Sequence, residues 1–510
     1  MFFNREFLIA CALASGVSFL TVSESSQEKG ALQTIRAPTA SLSLAPCEIP
    51  GTKEDVKENA RCGTYEVFEN RAAKTGSKIA IKIVVFPATG QNRVADPLFY
   101  IPGGPGSSAT EDAPYIAQEY ARIRERRDLV FVDQRGTGGS NPLNCKLFNP
   151  SSLESYLGAF LPLEEVRKCR EQLETRADLK LYTTPIAMDD LDEVRAALGY
   201  EQINIIGASY GTRATQVYLK RHPGHVRAII LHGVSPTGQF MPRDFPQQTE
   251  RALNGVIDDC SADAACRAAF PHLRSESKVV LERLLRGPVK VAVKNPLTGI
   301  STSVELSRNL AAEAIRYMLY QSSAASRIPL FLHLAAQGDF VPLAESAIFY
   351  RQQIVASGSN GMYLSVTCAE DLPWIKSREG ERNAEHTFLG DYRLRQQRAA
   401  CTLWPRGEIP KDYAKPTRSS VPALILTGQW DPVTPPVYGD TVAKHLANSL
   451  HVVVPHGGHG FNGLDGLACI QQLIAEFVDR GTTNGLDRSC VKSIRRKGFV
   501  LNLAPPKKAS

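Results

Sequence analysis

The sequence predicts an α/β fold: a mostly parallel sheet of eight strands with a helical cap inserted into it. Two observations predict this. Six short, almost wholly apolar runs end near Gly, Pro, Asp or His, with helical stretches between several of them, and that rhythm breaks off from 236 to 418. Strands covered by helices on both faces read as continuous apolar runs, because neither face meets water. Alternation of such strands with helices indicates a doubly wound sheet.

The elements follow in order. Residues 24–60 are polar with scattered Pro and Ser and read as an extended lead-in. A first strand is expected at 64–68. A second is expected at 79–83, where Ile79, Ile81 and Ile83 alternate with Ala80 and Lys82, the period of a half-buried antiparallel strand. The six apolar runs lie at 98–101, 129–132, 203–206, 228–231, 423–426 and 452–454. Helices are expected at 189–198, 212–221 and 464–478, the last from the helical spacing of Leu467, Ile470, Leu473, Ile474 and Phe477. Within 236–418 the pattern is helical at 309–320, 328–336 and 343–356, with no convincing buried strand. The chain thus divides into a signal peptide (1–23), a first part of the core (24–235), the cap (236–418) and a C-terminal part of the core (419–510).

Bulk composition fits a globular enzyme. The chain has 510 residues, 43% hydrophobic and 22% charged, with a net charge of +7. Basic residues gather at 122–127 and 495–497 without interleaved aromatics, so they read as solvated surface and nucleic acid is not implied as a partner. At the N-terminus, Arg5 precedes an apolar or small-residue stretch from Phe7 to Val22, followed by a polar segment. That is the order of a secretory signal, too short for a spanning helix. The expected location is periplasmic or extracellular, with no stable membrane insertion. The run from Leu8 to Cys11 resembles a lipoprotein box, but four residues after Glu6 are too few for an h-region of about 7–15.

Of the eleven cysteines, Cys11 falls in the signal, which leaves an even number in an exported chain and argues for disulfides. Sequence neighbours pair as Cys47 with Cys62, Cys145 with Cys169, Cys260 with Cys266, Cys368 with Cys401, and Cys469 with Cys490. No C-x-x-C pair is present, and neither a metal nor a cofactor is expected.

The chemistry centres on Gly207-Ala208-Ser209-Tyr210-Gly211, a G-x-S-x-G motif. Chance supplies roughly 0.2 such matches in a chain this long, so context must decide. An apolar run enters it and a helical segment leaves it, the strand–turn–helix of a nucleophile elbow. The glycines permit a sharp turn, and the helix N-terminus favours developing negative charge. Pro102-Gly103-Gly104-Pro105-Gly106 follows another strand, where backbone N–H groups can approach a substrate oxygen. Gly104 and Tyr210 are the expected oxyanion donors. No Lys-Ser/Thr follows the glycines, which disfavours a phosphate loop.

Chain order then selects the partners, since this elbow is followed by an acid and then a His, each after a strand. His459, in Gly458-His459-Gly460 just past 452–454, is the expected base, with His456 as its rival. Asp431, after 423–426 and ahead of three prolines, is the expected acid, with Asp440 as its rival. Asp133-Gln134-Arg135 reads as a structural loop whose charges pair with each other or with backbone.

Taken together, these motifs resemble the tripeptidyl and prolyl aminopeptidase branch of the α/β-hydrolase fold. The likeness rests on the G-G-P-G loop (103–106), D-Q-R-G-T-G-G-S (133–140), G-A-S-Y-G-T (207–212), the loop 427–436 and Gly458-His459-Gly460, and runs from about Cys62 to Cys490. It implies an exopeptidase acting on free N-termini, with acidic cap residues holding the substrate amine. Glu370 and Asp371 are the candidates for that role. Pro102 stands where prolyl aminopeptidases usually carry His, which puts strict proline specificity in doubt. An esterase would use the same triad, and a non-catalytic binding protein could share the fold. The expected partner is a peptide or small ester.

Overall fold

The computed structural model describes residues 42–51, 57–356, 358–376, 384 and 387–503. The signal peptide expected at 1–23, with Cys11, lies outside them. Among the described residues, no helix is long and apolar enough to cross a membrane.

The described strands of interest are β1 (Ala45–Pro50), β2 (Lys57–Phe68), β3 (Lys78–Phe86), β4 (Leu98–Ile101), β5 (Leu129–Val132), β6 (Ile203–Ala208), β7 (Val226–His232), β8 (Val289–Lys294), β9 (Ser301–Leu306), β10 (Ala423–Gly428) and β11 (Ser449–Val454). Nine of them form one sheet in the order β1-β2-β3-β5-β4-β6-β7-β10-β11. The six apolar runs are the parallel body, β5-β4-β6-β7-β10-β11. An antiparallel meander, β1-β2-β3, extends it at one edge. The sheet therefore has one strand more than the eight expected. The extra one, β1, is an edge strand carrying Pro46 and Pro50, which a sheet tolerates only at its edge. Those prolines are why the segment reads as lead-in.

Both faces of the sheet are covered. Along β3, Ile79, Ile81, Ile83 and Val85 enter one apolar cluster while Val84 and Phe86 enter the other. The helices Thr184–Ala197 and Tyr210–Arg221 feed the first cluster, and Ala468–Arg480 feeds the second.

Between β7 and β10 the chain forms helices with a cluster of their own, which includes Leu253, Val256, Leu310, Ile315 and Leu332. The expected helices appear at Arg308–Met318, Ile328–Ala336 and Val341–Ala356. The region is not free of strands, however. β8 and β9 pair as an antiparallel hairpin, and Val291, Val293 and Val304 bury one face of it in that cluster. The alternation in Val289-Lys290-Val291-Ala292-Val293-Lys294 is the signal for it.

All five cysteine pairs form as the neighbour rule proposed, with Cα atoms 5.2–5.9 Å apart. Disulfides of this number match an oxidising compartment.

Candidate active site

β6 runs into Ser209, whose backbone sits at φ 55° and ψ −120°, a conformation that costs a residue with a side chain about 1–3 kcal/mol. The surrounding glycines are obligatory. A Cβ on Gly211 would lie 2.0 Å from Ile101 O, and one on Gly207 would lie 2.5 Å from Gly211 O. Ser209 N–H donates to His232 O at 2.8 Å, tying the elbow to the end of β7. Tyr210 opens the helix Tyr210–Arg221, so its N–H is one of the donors that a helix start leaves without an intrahelical acceptor.

The loop after β4 packs against the serine. A Cβ on Gly103 would lie 3.1 Å from Ser209 Cβ and 3.7 Å from its Oγ. Gly104 follows with φ +111°, a backbone state suited to glycine. Gly103 of this loop thus lies against Ser209, with Gly104 the next residue along the chain.

Asp431 lies in the turn after β10 and is fully buried. Its Oδ1 accepts from Val433 N and Thr434 N, both at 2.8 Å. Its Oδ2 accepts from Thr434 Oγ1 at 2.7 Å and lies 2.8 Å from His459 Nδ1. Burial pushes this carboxyl upward, but the imidazole and the Thr434 donors outweigh it and hold it at about 2. An ionised carboxylate on Nδ1 orients the ring and stabilises its charged form.

His459 is also held from above and beside. Gly460 N–H donates to Tyr320 O at 2.7 Å, and the Tyr320 ring stands edge-on to the imidazole at 4.9 Å. A Cβ on Gly233 would lie 3.0 Å from His459 Cε1, and Gly233 follows His232, the residue bonded to Ser209 N–H. Serine and imidazole therefore flank one turn at the end of β7. The rivals are engaged elsewhere. His456 Nδ1 pairs with Asp259 at 2.8 Å, and Asp440 pairs with His451 at 2.9 Å.

Three neighbours carry no motif. Thr434 bridges acid and base, its Oγ1 also 3.0 Å from His459 Nδ1; its place three residues after Asp431 is the local signal. Tyr320 comes from the turn after the helix Arg308–Met318, more than a hundred residues away, and nothing local marks it. His232 stacks on Phe461, and burial of its ring, followed by the charge of His459, lowers it to about 4. It is neutral at ordinary pH.

Glu370 and Asp371 require a correction. Both are fully buried at the end of the helix Asn360–Glu370 and bound to protein groups. Glu370 accepts from Thr184 N at 2.6 Å, from Thr184 Oγ1 at 2.8 Å and from Tyr413 OH. Thr184 Oγ1 is in turn 2.7 Å from Tyr210 OH, so Glu370 braces the residue beside the nucleophile. Asp371 pairs with the buried Arg213 at 2.8 Å and accepts from Met241 N. Both oxygens of Glu370 are thus spent on structural bonds, which leaves it no open face for an amine, while Asp371 is anchored through Oδ1 and its Oδ2 makes no hydrogen bond.

The loop after β5 is structural. Asp133 accepts from Ser108, Thr110 and Gly139, while Arg135 donates to the backbone carbonyls of Glu69, Leu181 and Phe68 and, beyond the expectation, pairs with Asp190 at 2.6 Å. Among the described residues, Asp192, His222 and His225 form one cluster with metal-ligand chemistry. It lies past the C-terminal end of the helix Tyr210–Arg221, away from Ser209, and Asp192 already binds Arg195 and Tyr218.

Comparison with known proteins gives two family matches. Residues 96–269 match the "alpha/beta hydrolase fold" model and residues 386–490 match "TAP-like protein". The chain is 26% identical to serine protease Hip1 of Mycobacterium tuberculosis, over 87% of this chain and 90% of that one. It is 25% identical to a tripeptidyl aminopeptidase of Streptomyces lividans, over 90% and 88% of the two chains. A proline iminopeptidase of Aeromonas sobria is 24% identical over 46% of this chain and 51% of its own.

Proposed function

We propose that this chain, a serine hydrolase of the α/β-hydrolase fold and of the tripeptidyl and prolyl aminopeptidase-like kind, is an exported aminopeptidase that releases short units from the free N-terminus of peptides. The observation that carries the reading is the Asp431–His459 pair, presented on two strand-end loops beside the strained Ser209 elbow. In this reading Ser209 Oγ attacks the scissile carbonyl while His459 takes its proton, with Asp431 holding the ring in the required tautomer. The developing oxyanion is met by the N–H groups of Gly104 and Tyr210. His459 then protonates the leaving amine, and water resolves the acyl-enzyme by the same route. The helices between β7 and β10 act as the cap, docked on the base through the Tyr320–Gly460 contact. The N-terminal signal and the five disulfides support export.

A fluorophosphonate probe should label Ser209, and Ser209→Ala should abolish both labelling and turnover. A tripeptide anilide with a free N-terminus should be cleaved well and its N-acetylated twin poorly. Burial of Glu370 and Asp371 leaves the substrate amine without those receptors, which favours an esterase as the second reading. Equal turnover of free and acetylated peptides, with simple esters preferred over both, decides for the esterase.

A further inference from the structure

The helices between β7 and β10 bury more positive charge than they neutralise. Arg316, on the helix Arg308–Met318, Arg351, on Val341–Ala356, and Arg393, on Tyr392–Leu403, are 2%, 3% and 5% exposed. Glu313 is the one carboxylate within ion-pair distance of any of them among the described residues. It lies 3.1 Å from Arg393 Nη1 and 3.8 Å from Arg316 Nη1. Two of the three cations thus share one anion, and Arg351 has no carboxylate within that distance among the described residues. Nε and Nη1 of Arg316 and Nη1 of Arg351 make no hydrogen bond.

Two aromatic rings join the three groups. Arg393 lies 3.6 Å and Arg351 5.5 Å from the centroid of Phe160, and Arg316 lies 4.2 Å from that of Phe245, which Arg393 also faces. Each such contact is attractive, the cation meeting the negative face of the ring. That softens the burial of a guanidinium but does not supply the acceptors its N–H groups need. A small cavity with room for about one water, bordered by Phe160, Glu313, Tyr317, Tyr350 and Arg351, lies at the Arg351 side of the cluster.

The cluster adjoins the proposed catalytic base. Arg316 Nη2 donates to Tyr320 OH at 3.1 Å, and the same tyrosine stands against His459. One phenol ring separates guanidinium from imidazole, a span that two or three extended residues cover at about 3.5 Å each.

We propose that Arg316, Arg351 and Arg393 form an anion subsite in the cap that takes a carboxylate of the peptide substrate. This rests on the aminopeptidase reading of the Ser209 site. A carboxylate supplies paired acceptors to the forked donors of arginine and reduces the excess positive charge of the cluster. It can come from an acidic side chain or from the peptide's free C-terminus.

The test uses the full chain and two substrate series. One places a single Glu, or its isostere Gln, at each position of a tripeptide anilide. The other compares an unblocked peptide with its C-terminal amide. The proposal expects the carboxylate form to be favoured in kcat/KM by at least about tenfold, or 1.4 kcal/mol, in one series. The Glu series identifies a side-chain carboxylate and the amide series a C-terminal one. Arg316→Gln should bring the ratio close to one, while Arg316→Lys retains part of it. Equal turnover within both series overturns the proposal without need of any variant. So does an Arg316→Gln enzyme that loses activity on acidic and neutral peptides alike with its ratio intact, since that is a purely structural role. If no peptide is cleaved but simple esters are, the aminopeptidase reading falls. The subsite is then judged on paired glutarate and pentanoate esters by the same ratio.

Discussion

Two fully buried carboxylates, Asp431 in the turn after β10 and Glu370 at the end of a helix between β7 and β10, meet opposite fates. Each is removed from water and each accepts several hydrogen bonds. Burial pushes both upward, yet Asp431 is held at about 2 and Glu370 rises to about 7. The difference is the partner. Asp431 faces an imidazole that becomes a cation when it takes a proton, and it gathers two backbone N–H groups besides. Glu370 faces hydroxyls and one N–H, and the nearby cation, Arg213, is already committed to Asp371. Burial alone thus does not fix the charge of a carboxyl; the balance between burial and the sum of its charge partners and hydrogen-bond donors does. The acid of a triad must stay ionised, while a carboxyl that braces Thr184 and Tyr210 can hold a proton.

Removing the charge of Asp431 tests the first half of this contrast and carries the largest effect. Asp431→Asn keeps the shape but favours the wrong tautomer of His459, so kcat should fall about 10⁴-fold. Fluorophosphonate labelling of Ser209 should slow in parallel while the fold, read by circular dichroism, is retained. A loss of less than tenfold would mean that His459 takes its orientation from elsewhere.

Glu370 tests the second half through stability. Its folded value, about 7, lies above the ordinary 4.5. Below about 4.5 both folded and unfolded chains carry the proton, and the group contributes nothing to pH dependence. Between about 4.5 and 7 the folded chain keeps a proton that the unfolded chain has shed, so rising pH favours unfolding by roughly 3 kcal/mol in total. For Asp431, whose folded value lies below the ordinary 3.8, the sign is reversed. Its stabilisation is present above about 4 and is lost as pH falls towards 2, by roughly 2 kcal/mol. Urea unfolding of the wild type should therefore show a decline from about pH 4.5 to 7 that Glu370→Gln flattens, leaving the acid limb in place. An unchanged slope in the variant would show Glu370 to be ionised throughout.

The same two regions differ in how far the sequence reveals them. Ser209, Asp431 and His459 stand out in the sequence as candidates because their surroundings are local. The elbow needs glycines within two residues, where a Cβ would strike backbone, and the base needs glycines on either side. The six parallel strands were legible because burial on both faces writes itself as an apolar run. Glu370 was visible as an acid but misread as a receptor, since its donors come from Thr184, 186 residues away, and from Tyr413. Long-range hydrogen bonds leave no spacing to read. β1 hid behind its prolines, and the β8–β9 hairpin behind the helices around it. Arg135 illustrates the same limit: its charge needed a partner, but Asp190 on a distant helix supplied it.

The smallest expected effect sharpens the account of why Asp431 stays low. Thr434 Oγ1 donates to Asp431 Oδ2 and lies 3.0 Å from His459 Nδ1, so one hydroxyl touches both members of the pair. Thr434→Val preserves the volume and the backbone N–H donor to Oδ1 but removes that hydroxyl. A buried hydrogen bond to a charged acceptor is worth about 1.5–3 kcal/mol, part of which the imidazole can recover by drawing closer. The expected loss in kcat is therefore about tenfold, far below that of Asp431→Asn, with KM little changed. With one donor fewer, the carboxylate should titrate higher, and acid unfolding should begin at a higher pH than in the wild type. If kcat and the acid limb both stay at wild-type values, the imidazole and the two backbone donors suffice to hold Asp431 ionised, and Thr434 only fills space beside it.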